Sequence, residues 1–353
     1  DYAGKVPPPA CAASTGKKIA IIGGGPGGLR AAYYLKLMGH QTTVFEMLPK
    51  LGGMLRYGIP NYRLPKDQLE KDTDAILATG VKVIHNVKIG MDVKLDDLRR
   101  DYDAVLITIG ASTDKKLGLP NEDAPGIMSA VGFLRNVSLG NNIDLTGQDV
   151  AVVGGGNVSM DAVRTAVRLG AKKVSIVDMT ALPAEIEAAI AEGVELKTLV
   201  APAGIELDES GHVSGLRVTP QMISKIKDGR ASVTASGAEE YVIPCQTLIV
   251  AIGQNIETSH YQESGIPVER GKIVTLPNGG FNGIPDVFAG GDCASGPATV
   301  IKAIAAAKVT AANIDEYLGY HHDITCDIEI PEPEISDPTP CGRVELTERE
   351  ACE

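Results

Sequence analysis

Short apolar runs alternate with longer amphipathic segments along most of the chain. A strand is predicted where several apolar residues follow one another, and a helix where they recur every three to four positions. The segment 27–38 shows the second pattern, because Leu29, Ala32 and Leu37 would share one face. Strands that alternate with helices of this length are typical of a parallel sheet in an α/β fold.

Two strand–helix–strand units stand out in this pattern. The first has strands 17–22 and 41–45 around helix 27–38, and the second has strands 149–153 and 173–177 around helix 159–169. Further predicted elements are helix 66–79, strands 82–85 and 104–109, a hairpin of 213–219 with 231–235, an apolar strand over 247–252, and a helix from about 297 to 318. We therefore predict an α/β fold with two Rossmann-like, three-layer nucleotide-binding domains.

A glycine-rich loop follows the first strand of each unit. The loops are Gly-Gly-Gly-Pro-Gly-Gly at 23–28 and Gly-Gly-Gly-Asn-Val-Ser at 154–159, and Glu46 or Asp178 follows the next strand. The glycines permit a tight turn, and the helix after the loop presents N–H groups to a pyrophosphate. The acid lies about 20 residues further on, where it accepts hydrogen bonds from a ribose. Two such units predict two dinucleotides face to face, which indicates hydride transfer.

A feature near the carboxyl end points to a flavin. Residues 287–292 predict a strand that ends in a Gly-Asp turn, and a new helix begins near Pro297 and Thr299. An Asp followed by a helix N-terminus suits the ribityl and pyrophosphate groups of FAD. The two ends of the chain are therefore predicted to build one domain. The predicted bounds are a linker over 1–15, an FAD domain over 16–112 and 254–320, an inserted NAD(H) domain over 113–253, and an extended acidic, proline-rich tail over 321–353.

Composition narrows the possible partners. The formal net charge is −12, so a nucleic-acid surface is not expected. No apolar stretch approaches the roughly 18 residues that would span a membrane.

The six cysteines are scattered without a C-x-x-C pair, which argues against a redox dithiol and favours a reducing, cytoplasmic setting. Because the chain begins at Asp1 and ends in the charged run 348–353, we expect it to belong to a longer polypeptide.

Several motifs together resemble one family of flavoproteins. They are Lys-Leu-Gly-Gly-Met-Leu-Arg-Tyr-Gly-Ile-Pro at 50–60, Tyr-Arg-Leu-Pro-Lys at 62–66, Met-Asp at 160–161, Arg-Thr-Ala at 164–166, and Ala-Gly-Gly-Asp at 289–292. The chain is similar in them to the small subunit of glutamate synthase, the large subunit of NADH-dependent ferredoxin:NADP oxidoreductase and the N-terminal half of dihydropyrimidine dehydrogenase. The resemblance implies an FAD domain, an inserted nicotinamide-nucleotide domain, and electrons passed on to iron–sulfur clusters.

The chain departs from that family's pattern in two places. Only Cys11 precedes the first glycine loop, where the family carries a cysteine cluster, so iron–sulfur clusters are expected on missing chain or on a partner. After the second loop the family has Tyr-Arg-Arg, whose arginines hold the 2′-phosphate of NADP, whereas this sequence has Asp178, Met179 and Thr180. A carboxylate there suits the ribose hydroxyls of NADH and repels a 2′-phosphate. We therefore expect NADH to be preferred.

The predicted site contains no titrating catalytic side chain. Backbone N–H groups of Thr299 and Val300 are expected at the N1/O2 edge of the flavin, where negative charge collects on reduction. Arg63 either neutralises a phosphate, as the resemblance implies, or is solvated. The predicted FAD contacts are Gly23, Gly25, Pro26, Gly27, Gly28, Glu46, Gly53, Met54, Arg63, Val87, Gly110, Gly291 and Asp292, and the predicted NAD contacts are Gly154, Gly156, Asn157, Val158, Ser159, Asp178 and Gly253.

No metal site is predicted. His321, His322 and Cys326 have metal-like spacing, but no fourth ligand is evident. The expected function is that of an FAD-containing NADH:acceptor oxidoreductase subunit, with a ferredoxin-like iron–sulfur subunit or domain as partner in a hetero-oligomeric complex. Two alternatives stay open. One is an electron-bifurcating subunit that uses NAD(P)H and ferredoxin, and the other is a docking module that keeps the fold without turnover.

Overall fold

The computed structural model describes residues 9–179, 186–227 and 230–323. Thr180, the first eight residues of the predicted linker, and the predicted tail from 324 onward, including Cys326, lie outside these residues. Within the described ranges, none of the helices combines the length and the apolar character that crossing a bilayer requires.

The first part of the chain alternates strands and helices, as the sequence predicts. Its elements are β1 (Lys18–Ile22), α1 (Pro26–Leu37), β2 (Gln41–Glu46), α2 (Met54–Tyr57), α3 (Lys66–Leu77), β3 (Lys82–His85), α4 (Leu95–Asp101) and β4 (Ala104–Ile107). Every residue of β4 is buried, and so are four of the five residues of β1. Runs that are apolar throughout are typical of parallel strands covered on both faces.

The middle of the chain contains the second strand–helix–strand unit. Its elements are β5 (Thr113–Asp114), β6 (Ile127–Ser129), α5 (Ala130–Ser138), β7 (Asp149–Val153), α6 (Asn157–Arg168), β8 (Lys173–Asp178), α7 (Ile186–Ala191), β9 (Glu195–Thr198), β10 (Val200–Leu207), β11 (Val213–Lys227), β12 (Arg230–Ala235), β13 (Tyr241–Pro244), β14 (Thr247–Val250) and β15 (Gln254–Asn255). α5 packs on α6 above this unit, where Phe133, Met160 and Ile176 share one core.

The last part of the chain returns to the first unit. Its elements are α8 (Ser259–Glu263), β16 (Val268–Glu269), β17 (Lys272–Ile273), β18 (Gly280–Phe281), β19 (Ile284–Ala289), α9 (Asp292–Ser295) and α10 (Val300–Tyr317). The predicted helix from about 297 to 318 is confirmed as α10. Its N-cap is Thr299, and Gly319, at a φ of 87°, follows its last turn in the conformation that favours glycine.

The first sheet is built from both ends of the chain. Its strand order is β18-β19-β4-β1-β2-β3. β19 runs parallel to β4, with Val287 opposite Val105, and β18 is antiparallel to β19. The second sheet, in the order β6-β14-β7-β8-β9, is parallel throughout. The predicted α/β fold with two Rossmann-like units is therefore confirmed.

A third, antiparallel sheet corrects one sequence-based expectation. The sequence predicted that 213–219 pairs with 231–235, but β12 pairs with the later part of β11, from Gln221 onward. The earlier part of β11 lies between β10 and β13 instead. An apolar alternation identifies a strand and not its partner, and β10 and β13 were not predicted.

The chain passes between the two large sheets at two points that lie side by side. β5 and β15 form a short antiparallel ladder in which Thr113 is opposite Asn255 and Asp114 is opposite Gln254. These residues adjoin the predicted boundaries of the inserted domain, and the boundaries themselves stay a prediction.

Candidate functional site

The first glycine loop joins β1 to α1 and is shaped by close packing. Gly23 has a φ of 104°, which favours glycine, and a Cβ there would lie 2.6 Å from the Thr108 carbonyl oxygen. Gly25 has a φ of −78°, and the atom nearest to a Cβ there would be the Cα of Gly53, at 3.8 Å. The loop is therefore packed on its inner side and open where a pyrophosphate would approach the N-terminus of α1.

Glu46 ends β2 and is held against this loop. Its Oε2 accepts a hydrogen bond from the Gly24 N–H at 2.7 Å, and its Oε1 accepts one from the Leu48 N–H at 2.8 Å. Burial raises the pKa of Glu46, and these hydrogen bonds oppose the shift. Because a carboxylate offers about four acceptor positions, Glu46 can hold the loop and still accept a hydrogen bond from a ribose.

The first glycine loop opens into a cleft lined by both ends of the chain, here called the first cleft. Gly28 does not line it, because a Cβ on Gly28 would overlap the carbonyl oxygen of Gly23 behind the loop. The predicted FAD and catalytic residues that line the cleft are Gly23, Gly25, Pro26, Gly27, Glu46, Gly53, Met54, Arg63, Val87, Gly110, Gly291, Asp292, Thr299 and Val300.

The N-terminus of α10 faces the first cleft. The Thr299 hydroxyl accepts a hydrogen bond from the Lys302 N–H at 3.4 Å, and Val300 is the first helical residue. The first N–H groups of a helix have no acceptor within the helix. They and the positive end of the helix dipole would therefore face a ligand bound in this cleft. Burial raises the pKa of Asp292, which lines the same cleft, against a hydrogen bond from the Ala298 backbone.

The second glycine loop lines an adjoining cleft, here called the second cleft. Gly154 repeats the packing of Gly23, with a φ of 121° and a Cβ position 2.5 Å from the Ala251 carbonyl oxygen. A Cβ on Gly156 would meet nothing within 4 Å. Ser159 is fully buried behind the loop. The predicted NAD residues that line the cleft are Gly154, Gly156, Asn157, Val158, Asp178 and Gly253.

The two clefts share a wall. Asn157, Val158 and Gln254 line both of them. Asn157 and Val158 are the first residues of α6, directly after the second glycine loop. A dinucleotide bound on the second loop would therefore extend towards a dinucleotide bound on the first.

Cations that the sequence did not single out also line the second cleft. They are Lys115, Arg270 and Lys272. Arg270 and Gly271 form the turn between β16 and β17 and have φ values of 48° and 74°. Turns with two such residues are typical of tight hairpins. The local sequence could have predicted this hairpin, but its position beside the second glycine loop depends on the tertiary fold.

Thiols are poorly suited to redox or nucleophilic chemistry in the described part of the chain. Burial raises the pKa of the Cys293 thiol to about 11 and that of Cys245 to about 12. Cys11 is exposed, ahead of β1. The prediction that Cys293 is a buried, non-nucleophilic residue agrees with these surroundings.

A buried carboxylate on α10 contacts two histidines that line neither cleft. Asp315 Oδ1 lies 2.8 Å from His40 Nε2 and 2.8 Å from His322 Nδ1. On the other side of the ring, His40 Nδ1 lies 2.7 Å from the Thr15 hydroxyl oxygen. Burial lowers the pKa of His40, because it disfavours the charged ring. Burial alone would raise the pKa of Asp315, but hydrogen bonds from His322 and His40 lower it.

Comparison with known proteins identifies the family. A model of the family described as pyridine nucleotide-disulphide oxidoreductase matches residues 17–307. The chain belongs to this family. As a member, it is an FAD-dependent NAD(P)H oxidoreductase, and the predicted similarity to the glutamate synthase small subunit is confirmed. The chain is 36% identical over 330 residues to the glutamate synthase (NADPH) small chain of Escherichia coli, covering 86% of this chain and 69% of the relative.

Other relatives extend this picture. The chain is 41% identical over 317 residues to the NADP(+)-dependent formate dehydrogenase subunit beta of Moorella thermoacetica, covering 87% of this chain and 45% of the relative. The chain thus spans about half the length of that relative. Among solved structures, FprA of Mycobacterium tuberculosis in complex with NADPH has a TM-score of 0.71 at 22% identity, covering 86% of this chain and 85% of FprA. At 22% identity, this similarity shows that the two proteins share a fold.

Proposed function

We propose that this chain takes up electrons as hydride from NADH and delivers them singly to an iron–sulfur partner, with FAD as its resident cofactor. The observation that carries the proposal is the wall that the two clefts share at Asn157, Val158 and Gln254. Bound FAD would supply the conversion of a two-electron donor into one-electron steps. The residues of this chain would supply binding and alignment, which hydride transfer requires more than proton transfer.

The first cleft fits FAD on its own geometry. The open position at Gly25 leaves room for a pyrophosphate against the N-terminus of α1. Glu46 is held where its carboxylate can accept hydrogen bonds from a ribose. The N–H groups at Thr299 and Val300 would stabilise negative charge on the N1/O2 edge without a titrating side chain. These residues therefore bind and orient the cofactor.

For the nicotinamide nucleotide we propose a preference for NADH over NADPH. Asp178 ends β8 and lines the second cleft. Its carboxylate suits two ribose hydroxyls and repels a 2′-phosphate, and Met179, the next residue along the chain, carries no charge. The relatives from Moorella thermoacetica and Escherichia coli carry NADP or NADPH in their names. A preference for NADPH over NADH would overturn this part of the proposal.

An iron–sulfur subunit or domain is the proposed electron acceptor. Relatives include the NADP(+)-dependent formate dehydrogenase subunit beta and an NADPH-Fe(3+) oxidoreductase subunit beta of Geobacter sulfurreducens, and both are named as subunits of larger assemblies. In the described residues, Cys11, Cys245 and Cys293 are dispersed, with two of them buried. These three thiols do not make up the four thiolates that hold a cluster, so we propose that the cluster lies outside the described residues or on a partner. The names of the relatives support a hetero-oligomer of this kind.

An anaerobic titration tests the proposal. The purified, flavin-loaded protein is mixed with NADH or NADPH at equal subsaturating concentrations, and the flavin absorbance is followed. We expect NADH to bleach the flavin bands rapidly and NADPH to do so more slowly. Gly156→Val is the matched control, because it should retain FAD but no longer respond to NADH. A wild-type protein that neither nucleotide bleaches would be a docking module, and equal rates with both nucleotides would contradict the NADH preference.

A further inference from the structure

The loop that follows α2 reaches across to α6 of the second unit. Arg63 Nη1 lies 2.9 Å from Asp161 Oδ1, and the Asp161 side chain is only 7% exposed. Asp161 lies in the second turn of α6, whose first residues, Asn157 and Val158, line both clefts. An ion pair between a half-buried Arg and a nearly buried Asp therefore joins the two nucleotide-binding units close to their shared wall.

Tyr62 adds a second contact between the same two segments. The guanidinium carbons of Arg164 and Arg168 lie 4.9 and 4.0 Å from the centroid of its ring. Both arginines are held by Glu192, at 2.7 Å from Arg164 Nη2 and 2.5 Å from Arg168 Nη1. Cations over an aromatic ring are attracted by its negative face. Burial also raises the pKa of Tyr62 to about 12, so the phenol is neutral at physiological pH.

The loop that carries Tyr62 and Arg63 is itself tied to the first cleft. Lys66 Nζ donates hydrogen bonds to the carbonyl oxygens of Leu55, at 2.9 Å, and Ile59, at 2.5 Å. Leu55 and Ile59 line the first cleft. Lys66, directly after this loop, thus ties it to the wall of the first cleft, and Arg63 and Tyr62 within the loop contact the helix that begins at the second glycine loop.

We infer that Tyr62, Arg63, Asp161, Arg164 and Arg168 form an interdomain latch that fixes the angle at which the nicotinamide ring meets the flavin. Arg63 and Tyr62 are then positioning residues, acting through α6 on the bound nucleotide. The inference rests on the proposed function. Transfer between two bound rings depends steeply on their separation, and a displacement of about 1 Å can cost on the order of 100-fold in rate. A latch at the base of α6 restricts that displacement.

Rapid-reaction kinetics on the flavin-loaded chain test the latch. We expect Arg63→Ala to lower the limiting rate constant of flavin reduction by about 10- to 100-fold, with the nucleotide concentration at half-saturation changed less than threefold. Arg63→Lys keeps the charge and should recover part of the rate. In the double variant with Asp161→Ala the rate should fall no further than in the worse single variant, because the two residues act as a pair. Arg100→Ala, which removes a surface arginine paired on α4, is the control.

A second measurement does not depend on turnover. In flavin-loaded protein without nucleotide, hydrogen exchange of the 60–66 and 157–168 amides should be faster in Arg63→Ala than in wild type and unchanged in Arg100→Ala. Tyr62→Leu should increase exchange in the same two segments. If Arg63→Ala showed the same rate of flavin reduction and the same amide hydrogen exchange as the wild-type protein, the proposed latch would be wrong. If neither nucleotide reduces the wild-type protein, the proposed function fails, and the exchange data alone decide whether the two units are latched.

Discussion

A Cβ on Gly25 would meet nothing nearer than the Cα of Gly53, 3.8 Å away. This differs from Gly23 in the same loop, where a Cβ would press on the carbonyl oxygen of Thr108. Gly23 is required by the fold, whereas Gly25 leaves a space that the protein itself does not fill. Gly156 stands in the same relation to Gly154 in the second loop. Two glycines can therefore be replaced to test ligand binding separately from folding.

Gly25→Val should produce a folded protein that retains no FAD. The φ of −78° and ψ of −178° at this position are accessible to valine, and the new methyl groups would occupy the space of the phosphates. Flavin content after purification, with far-ultraviolet circular dichroism as the test of folding, measures the effect. Gly156→Val should keep full FAD content. A Gly25→Val protein with stoichiometric FAD would show that the first loop is not the flavin site.

Asp178→Ala should narrow the preference for NADH. Loss of the ribose hydrogen bonds and of the repulsion of a 2′-phosphate should each change the relative binding of NADH and NADPH by about 1–3 kcal/mol, and each change corresponds to roughly 5- to 150-fold in selectivity. Adding Met179→Arg and Thr180→Arg should shift the selectivity further towards NADPH. The ratio of reduction rates with the two nucleotides measures the change. A ratio unaffected by Asp178→Ala would exclude this carboxylate from recognition of the ribose.

Val300→Pro should lower the reduction potential of bound FAD. Proline is tolerated at the first position of a helix, and Thr299 already has the extended conformation, with φ −90° and ψ 157°, that precedes proline. The substitution removes one N–H that would face the flavin. A hydrogen bond to a charged group contributes about 1.5–3 kcal/mol, so a decrease of roughly 30–60 mV is expected for the two-electron couple. Val300→Ala keeps the N–H and should leave the potential unchanged in the same redox titration.

His40 should make the stability of the protein depend on pH. Its pKa in the folded state is lowered from 6.5 by burial, so the unfolded chain binds a proton first as the pH falls. Stability is therefore retained above pH 6.5 and decreases as the pH falls from there towards the folded pKa. The free energy of unfolding is measured with urea at pH 7.5 and at pH 5.5. The difference between these two free energies should be smaller for His40→Asn than for wild type. His321→Asn, at an exposed histidine, is the control. If the stability of His40→Asn depended on pH as much as that of wild type, His40 would not be the source of the pH dependence.

The local pattern predicted those features that depend on residues close in sequence. Both glycine loops, their acids and the helix α10 follow from short motifs whose geometry is determined by glycine, capping and helical periodicity. Even the discontinuous sheet was predictable, because Gly291 and Asp292 carry a flavin-type turn at the far end of the chain.

Features that depend on tertiary contact were missed. The ion pair between Arg63 and Asp161 was not predicted, because it joins residues from different units, while the predicted phosphate contact of Arg63 stays a prediction. Arg270 reaches the second cleft on a hairpin from the opposite unit. The partners of β11 were assigned wrongly, since alternation along one strand carries no information about its neighbour. Each of these features is a contact between segments that are distant in sequence. None of them is the secondary structure of a single segment.

The pairing of Val105 with Val287 also sets an order in which the molecule can be assembled during synthesis. When the ribosome has completed β4, that strand has a neighbour on only one side, and its other edge stays open until β19 emerges. Meanwhile the whole inserted unit can fold between two segments that lie side by side at Thr113 and Asn255. The nascent flavin-binding unit therefore exposes an apolar sheet edge until β19 has been synthesised, and chaperones and other chains attach to edges of this kind.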